Sequence, residues 1–216
     1  MNDFKLLPGH VLVMRTCASD LTSHNKTFQY PLAGRVSAPD WDPTPKCGGG
    51  LHGCLWGVGN SELLDWSPDA KWLLIDCLAE NVIKIDEQKV KFKEGEIVLV
   101  GDRKEVTDMI YRYAPPDLAI IGVTQVTDKQ NAVQTAGDSS TQTAGSCSTQ
   151  TAGYSSNITT GNDSYVTAGQ DATITHRWYD YGQNKYRVAV FVIGDEPGNL
   201  SPNQKYHFLD GIAKKV

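Results

Sequence analysis

The densest group of chemically capable residues is Cys47-Gly48-Gly49-Gly50-Leu51-His52-Gly53-Cys54. Cys17 adds a further thiol upstream. Thiolates and imidazoles are zinc donors, but C-x4-H-x-C is not a structural zinc spacing, so no metal is assigned to Cys17, Cys47, His52 and Cys54. Three consecutive glycines outside a linker mark backbone that something approaches closely. No Gly-Lys-Ser/Thr follows, which excludes a P-loop. The plainer alternative is a buried tight turn with His52 bonded to backbone. A second group is Glu94 and Glu96, two residues apart at the start of an apolar run and therefore on one strand face. Solvated carboxylates at a hairpin are the plainer reading of that pair. Arg15 follows the apolar run Val11–Met14.

The elements that must position these groups fill residues 1–125, read as an α+β domain in which β dominates. Leu7–Arg15 reads as a first strand, followed by a long Pro-, Gly- and Trp-containing loop from Ser19 to about Gly53. Ser61–Trp66 reads as a short helix capped by Asn60 or Ser61. Trp72–Cys77, Val82–Ile85, Val90–Phe92 and Glu96–Val100 read as strands, Asp102–Arg112 as a helix, and Leu118–Val126 as another strand.

Beyond this region the composition changes abruptly. No cation lies between Lys129 and Arg177, and 26 of the 40 residues 135–174 are Thr, Ser, Gly or Ala. The stretch is a repeat: TAGDSSTQ, TAGSCSTQ, TAGYSSNI, TTGNDSYV and TAGQDATI, with Gly at 137, 145, 153, 161 and 169. A flexible linker would not hold this register. Glycine at every eighth position is expected to supply a turn conformation that a Cβ resists. Between turns, the column Gln142, Gln150, Ile158, Val166 and Ile174 would face inward. The flanking Thr141, Thr143, Thr149, Thr151, Thr159, Thr167, Thr173 and Thr175 would face outward as a candidate binding face. Residues 126–175 therefore read as a β-solenoid of about two and a half coils. Such a short stack buries little apolar area and leaves open strand edges, so its neighbours must cap it. Residues 176–216 supply the turn-separated runs His176–Tyr181, Tyr186–Ile193, Lys205–Leu209 and Ile212–Val216, a β-meander cap.

The chain has 216 residues, a net charge of −5 and 40% hydrophobic residues, which excludes a wholly disordered chain and argues against a nucleic-acid binder. The start, Met1-Asn2-Asp3-Phe4-Lys5, lacks the pattern of a signal peptide, and no apolar run approaches a bilayer span. Five unpatterned cysteines do not form a secreted disulfide framework. A cytoplasmic protein without membrane contact is expected, with oligomeric state open.

The octads resemble the AGYGSTQT-like repeat of bacterial ice-nucleation proteins, at Ala136–Thr143, Ala144–Thr151 and, more loosely, Ala152–Thr159. The resemblance implies that two octads make one coil. Thr141/Thr143, Asn157/Thr159 and Thr173/Thr175 would then stack on one face, and Thr149/Thr151 and Tyr165/Thr167 on the other. At about 4.8 Å per strand, two and a half coils rise only about 12 Å, too little for the long array that templating ice needs. Arg15–Cys17, Ala38–Trp41, Cys47–Gly53, Trp72–Leu74 and Lys89–Glu96 resemble landmarks of a domain found in uncharacterised phage and bacterial proteins, which implies that setting but no activity. The order of Arg15, the Gly49–Gly53 stretch and Glu94/Glu96 also resembles ADP-ribosyltransferases. That resemblance implies NAD as cofactor, with phosphates on the amides of Gly49 and Gly50. Arg15, His52, Glu94 and Glu96 would then be catalytic, although no Ser-Thr-Ser motif is present.

The sequence thus supports a non-enzymatic structural or interaction protein. It needs no cofactor, uses the solenoid as spacer or binding face, and has a protein partner. An ADP-ribosyltransferase-like enzyme is the alternative, because no complete set of nucleophile, base and stabiliser is visible.

Overall fold

The computed structural model describes residues 4–216; residues 1–3, read above for a leader, lie outside the described residues. The chain forms two compact units, residues 1–116 and 117–216.

The first unit is a seven-stranded, wholly antiparallel sheet. Its strands are β1 (His10–Cys17), β2 (Gly34–Ser37), β3 (Leu51–Leu55), β4 (Lys71–Leu78), β5 (Val82–Lys84), β6 (Val90–Phe92) and β7 (Glu94–Gly101), in the order β2-β7-β4-β1-β3-β6-β5. The continuous apolar runs of β1 and β4 occupy the centre, where both faces are covered. Leu12, Val13, Met14, Leu73, Leu74 and Ile75 are fully buried. One face carries Val13, Cys17, Leu73, Ile75, Cys77 and Ile97 in a core with Tyr30, Leu51 and Phe92. Helix α1 (Arg103–Tyr113) packs on β4, β7 and β1. Its bounds lie within one residue of the expected Asp102–Arg112, and it starts with a capping box in which Asp102 accepts from the Glu105 amide while Glu105 accepts from the Asp102 amide. Ser61–Leu63 is a single 3-10 turn capped by Asn60. The expected long loop from Ser19 contains β2, and the Gly-rich stretch runs from loop into β3 at Leu51. Among the described residues, no helix is long and apolar enough to cross a membrane.

The second unit is the solenoid and its cap. Two parallel stacks alternate. One is β8 (Thr124–Val126), β10 (Thr141–Thr143), β12 (Asn157–Thr160) and β14 (Thr173–Asp180). The other is β9 (Val133–Thr135), β11 (Thr149–Ala152) and β13 (Ser164–Ala168). Registers follow the two-octad coil: Thr141 pairs with Asn157 and Asn157 with Thr173, while Thr149 pairs with Tyr165. The solenoid makes about three turns rather than two and a half, because β8 and β9 begin it before the first octad. Only Thr124–Val126 of the expected strand 118–126 is extended. The signal was present in Thr124-Gln125-Val126 and Val133-Gln134-Thr135, which carry the inward Gln without the TAG start.

The interior changes along the stack. Its first part is a glutamine ladder: Gln142 Nε2 donates to Gln125 Oε1 at 3.1 Å, and Gln150 Nε2 to Gln134 Oε1 at 3.0 Å. The same amides also donate to the carbonyls of Thr151 and Thr159. The ladder satisfies the buried amide nitrogens, while the Oε1 atoms of Gln142 and Gln150 at its end accept no hydrogen bond among the described residues. Towards the C-terminus Ile158, Val166 and Ile174 replace glutamine and join Ile193, Tyr206 and Phe208 in an apolar cluster. There the stack is closed. β14 continues into an antiparallel hairpin with β15 (Lys185–Val192), and β16 (Lys205–Leu209) pairs antiparallel with β13 and with β17 (Ile212–Lys215). The expected single meander is instead two additions, β15 on one stack and β16–β17 on the other, because β15 pairs with β14 while β16 pairs with β13.

The role of the repeated glycine differs from the expectation. None of the five has a positive φ; the left-handed residue lies two positions later, at Ser139, Cys147, Ser155, Asp163 and Asp171, with φ between 52° and 59°. The glycines are required by close approach. A Cβ on Gly161 would sit 2.6 Å from the Ser146 nitrogen, and one on Gly169 would sit 2.7 Å from the Tyr154 nitrogen, both in the coil beneath. Gly161→Ala is therefore expected to lower unfolding free energy by about 1–3 kcal/mol. Ser155→Gly, which relieves a left-handed backbone, is expected to be neutral or stabilising. Urea unfolding of both variants checks this ranking.

Candidate functional site

Two features of the structure can do something. The first is the solenoid surface. Gln142, Gln150, Ile158, Val166 and Ile174 are buried to 1% exposure or less, while the Thr on either side reach the surface. On one face Thr143, Thr159 and Thr175 stand in a continuous column, with Thr141, Asn157 and Thr173 beside them. On the other, Thr135, Thr151 and Thr167 align, but the neighbouring column reads Val133, Thr149, Tyr165. Tyr165 is itself covered, stacked on His207 at 4.7 Å with the Lys205 ammonium over its ring. The first face is the more regular hydroxyl surface.

The second feature is a cavity of about 490 Å³ in the first unit, bounded by Arg15, Tyr30, Asp40, the Cys47–Cys54 stretch and Lys89, among others. The sheet delivers these side chains. Arg15 projects from β1 and His52 from β3, and an Arg15 Nη1 hydrogen donates to the His52 carbonyl at 3.1 Å. The guanidinium lies over the Tyr30 ring at 4.3 Å and is bonded to its hydroxyl. Asp40 accepts from the Gly50 amide at 3.1 Å, fixing the loop to its neighbour. Gly48, Gly49 and Gly50 all have positive φ, and a Cβ on Gly49 would lie 2.7 Å from the Asp40 carbonyl. Here the glycines are needed on both counts. Gly53 admits β1, since a Cβ there would lie 2.7 Å from the Met14 carbonyl.

The structure brings together Arg15, His52, Gly49 and Gly50 but not the carboxylates. In the antiparallel register Glu96 pairs with Asp76, and Asp76 with Leu12. Directly paired residues share a face and Arg15 lies three positions from Leu12, so Glu94 and Glu96 stand on the opposite face of the sheet from Arg15. Glu94 accepts from Arg35 Nη2 at 2.6 Å, which holds its carboxyl below the usual range. The catalytic constellation of Arg15, His52, Glu94 and Glu96 is not assembled. Nor do Cys17, Cys47, His52 and Cys54 gather as donors: among the described residues no group of three or more His, Cys, Asp or Glu is placed to hold a metal. All five cysteines are free thiols, with Cys17, Cys54 and Cys77 buried. Burial pushes Cys17 and Cys54 up to about 11. Sequence reasoning missed Tyr30, Asp40 and Lys89 as cavity residues. The alternating Lys89-Val90-Lys91 leading into β6 and the Ala38-Pro39-Asp40-Trp41 stretch were the available signals.

Comparison with known proteins divides along the same line. Residues 11–111 match a family model described as a domain of unknown function, DUF7666. An ice nucleation protein of Pseudomonas fluorescens is 39% identical over 101 residues, which is 46% of this chain and 8% of that protein. That of Pseudomonas syringae is 36% identical over 100 residues, 46% of this chain and 9% of the relative. That of Xanthomonas campestris pv. translucens is 30% identical over 106 residues, 49% and 7%. The octads are homologous to the repeat region of ice nucleation proteins. The chain covers less than a tenth of the length of these three relatives. No solved structure matches.

His52 gives the site a pH signature. Burial, then the Lys89 and Arg15 charges, lower its pKa to about 4. The unfolded imidazole takes a proton near pH 6.5, so its contribution to stability is complete above that value and is lost as pH falls towards 4. In the second unit, His176 is fully buried, and its pKa is lowered mainly by burial. It acts in the same direction. The urea midpoint is expected to fall between pH 7 and pH 5, before most carboxylates titrate, and His52→Gln is expected to flatten the decline for the first unit. A midpoint independent of pH over that range contradicts this.

Proposed function

We propose that this chain is a non-enzymatic structural and interaction protein of bacterial or phage origin, in which a short capped solenoid presents an ordered hydroxyl face to a protein partner and sets a fixed spacing. The observation that carries this reading is the Thr143–Thr159–Thr175 column, held in register by parallel pairing. Hydroxyls fixed at strand spacing bind a complementary surface without the entropy cost of ordering flexible side chains. The homologous repeats of ice nucleation proteins belong to far longer chains. Three turns rise only about 14 Å, and Asn157 and Tyr165 interrupt the arrays, so ice templating is not proposed here. Free thiols accord with a reducing, cytoplasmic setting. The ADP-ribosyltransferase alternative lacks support because Glu94 and Glu96 stand away from Arg15 and His52.

The test is affinity capture from bacterial lysate with the full chain and with the triple variant Thr143→Glu/Thr159→Lys/Thr175→Glu. Its alternating charges attract along the column and leave the fold intact. A protein captured by the parent and lost with the variant, at unchanged thermal midpoint, is the expected result. Identical capture by both removes the Thr face from the reading. Transfer of label from NAD to protein by the parent would restore the enzymatic alternative.

A further inference from the structure

We propose that the cavity of the first unit is a binding site for a small organic oxyanion, a phosphate or carboxylate carried on an apolar or aromatic body. This inference does not rest on the spacer reading.

Its first support is charge. Arg15 and Lys89 both line the cavity, and neither has a carboxylate within ion-pair distance among the described residues. Lys89 Nζ instead donates to Cys47 Sγ at 3.2 Å. Lys91, fully buried behind the loop, donates to the Gly48 carbonyl at 3.1 Å. Asp40 is the sole acidic residue lining the cavity, and its Oδ1 is engaged by the Gly50 amide. A positive recess in a chain of net charge −5 is therefore local and specific. Arg15 and Lys89 thus outnumber Asp40 in the recess, and the excess positive charge favours a bound anion.

The second support is unspent hydrogen-bonding capacity. Arg15 commits Nη1 to Tyr30 and to the His52 carbonyl, while Nη2 has no acceptor among the described residues. The cation–π contact with Tyr30 fixes the fork, so little entropy is lost on binding. His52 Nε2 is buried without a partner among the described residues. Gly48, Gly49 and Gly50 put no side chain into the recess, so a ligand can approach the backbone there closely. Phe28 and Tyr30 supply apolar wall, and the volume of about 490 Å³ suits a ligand the size of a mononucleotide.

The experiment is calorimetric titration of the full chain, at low salt and pH 7, with inorganic phosphate, AMP, adenosine and benzoate, repeated for Lys89→Gln and Arg15→Gln. The expected result is saturable binding of at least one anion, with adenosine inert and affinity lowered about tenfold or more in Lys89→Gln at an unchanged thermal midpoint. AMP binding above phosphate assigns a phosphomonoester on an aromatic body, and benzoate alone assigns a carboxylate. Binding that Lys89→Gln leaves unchanged, or no heat from any of the anions, overturns the proposal. Lys89 lies at the rim, so its variant keeps the test decisive should Arg15→Gln fail to fold.

Discussion

The solenoid depends on one contact, the approach of each coil's backbone to the coil beneath it at the TAG corner. With a Cβ-free residue at 137, 145, 153, 161 and 169, neighbouring backbones meet at distances that no side chain allows. That contact sets the coil-to-coil register. Register then puts glutamine amides above one another inside and Thr hydroxyls above one another outside. The following Ser140, Ser148, Ser156 and Ser164 are all buried, and Ser140 and Ser148 close the corner by donating to the Gly137 and Gly145 carbonyls. A strained left-handed residue at each corner is the cost of making the turn with something other than glycine.

A stack of this kind has no natural end. Here the chain changes chemistry to finish it. Hydrogen-bonded glutamines give way to Ile158, Val166 and Ile174, and these are sealed by Phe191, Tyr206 and Phe208 from the antiparallel cap. The polar interior specifies register while the apolar end supplies most of the hydrophobic free energy. The first unit solves a different problem. Its central strands are apolar on both faces, and the Gly-rich stretch lets loop and strand crowd together while leaving a recess beside Arg15.

Most of the second unit was legible because a repeat states its own geometry. An eight-residue period with an alternating tail fixes inward and outward columns; the pairing of Thr141 with Asn157, sixteen residues on, is what the resemblance to ice-nucleation repeats implied. Two things were not legible. The glycine's purpose depends on the adjacent coil, which local sequence does not contain; the positive φ belongs to Ser155 and its equivalents instead. The first coil was missed because Gln125 and Gln134 carry the inward position without the TAG corner. In the first unit, β1, β4, β5, β6, β7 and helix α1 were readable, whereas β2 and most of β3 fell inside the expected loop. The side of the sheet on which Glu96 stands depended on long-range register, through Asp76 and Leu12. No local motif encodes that, and this is why Glu94 and Glu96 looked closer to Arg15 in sequence order than they are in the fold.

The central claim is that residues 135–174, polar and poor in aliphatics, form a rigid stack rather than a linker. Native-state hydrogen exchange tests it most directly. Amides of β10 to β13 are expected to exchange as slowly as those of the β14–β15 hairpin, because they belong to one cooperative unit. Exchange of β10–β13 amides at the rate of an unstructured chain, with β14–β15 still protected, would contradict the account.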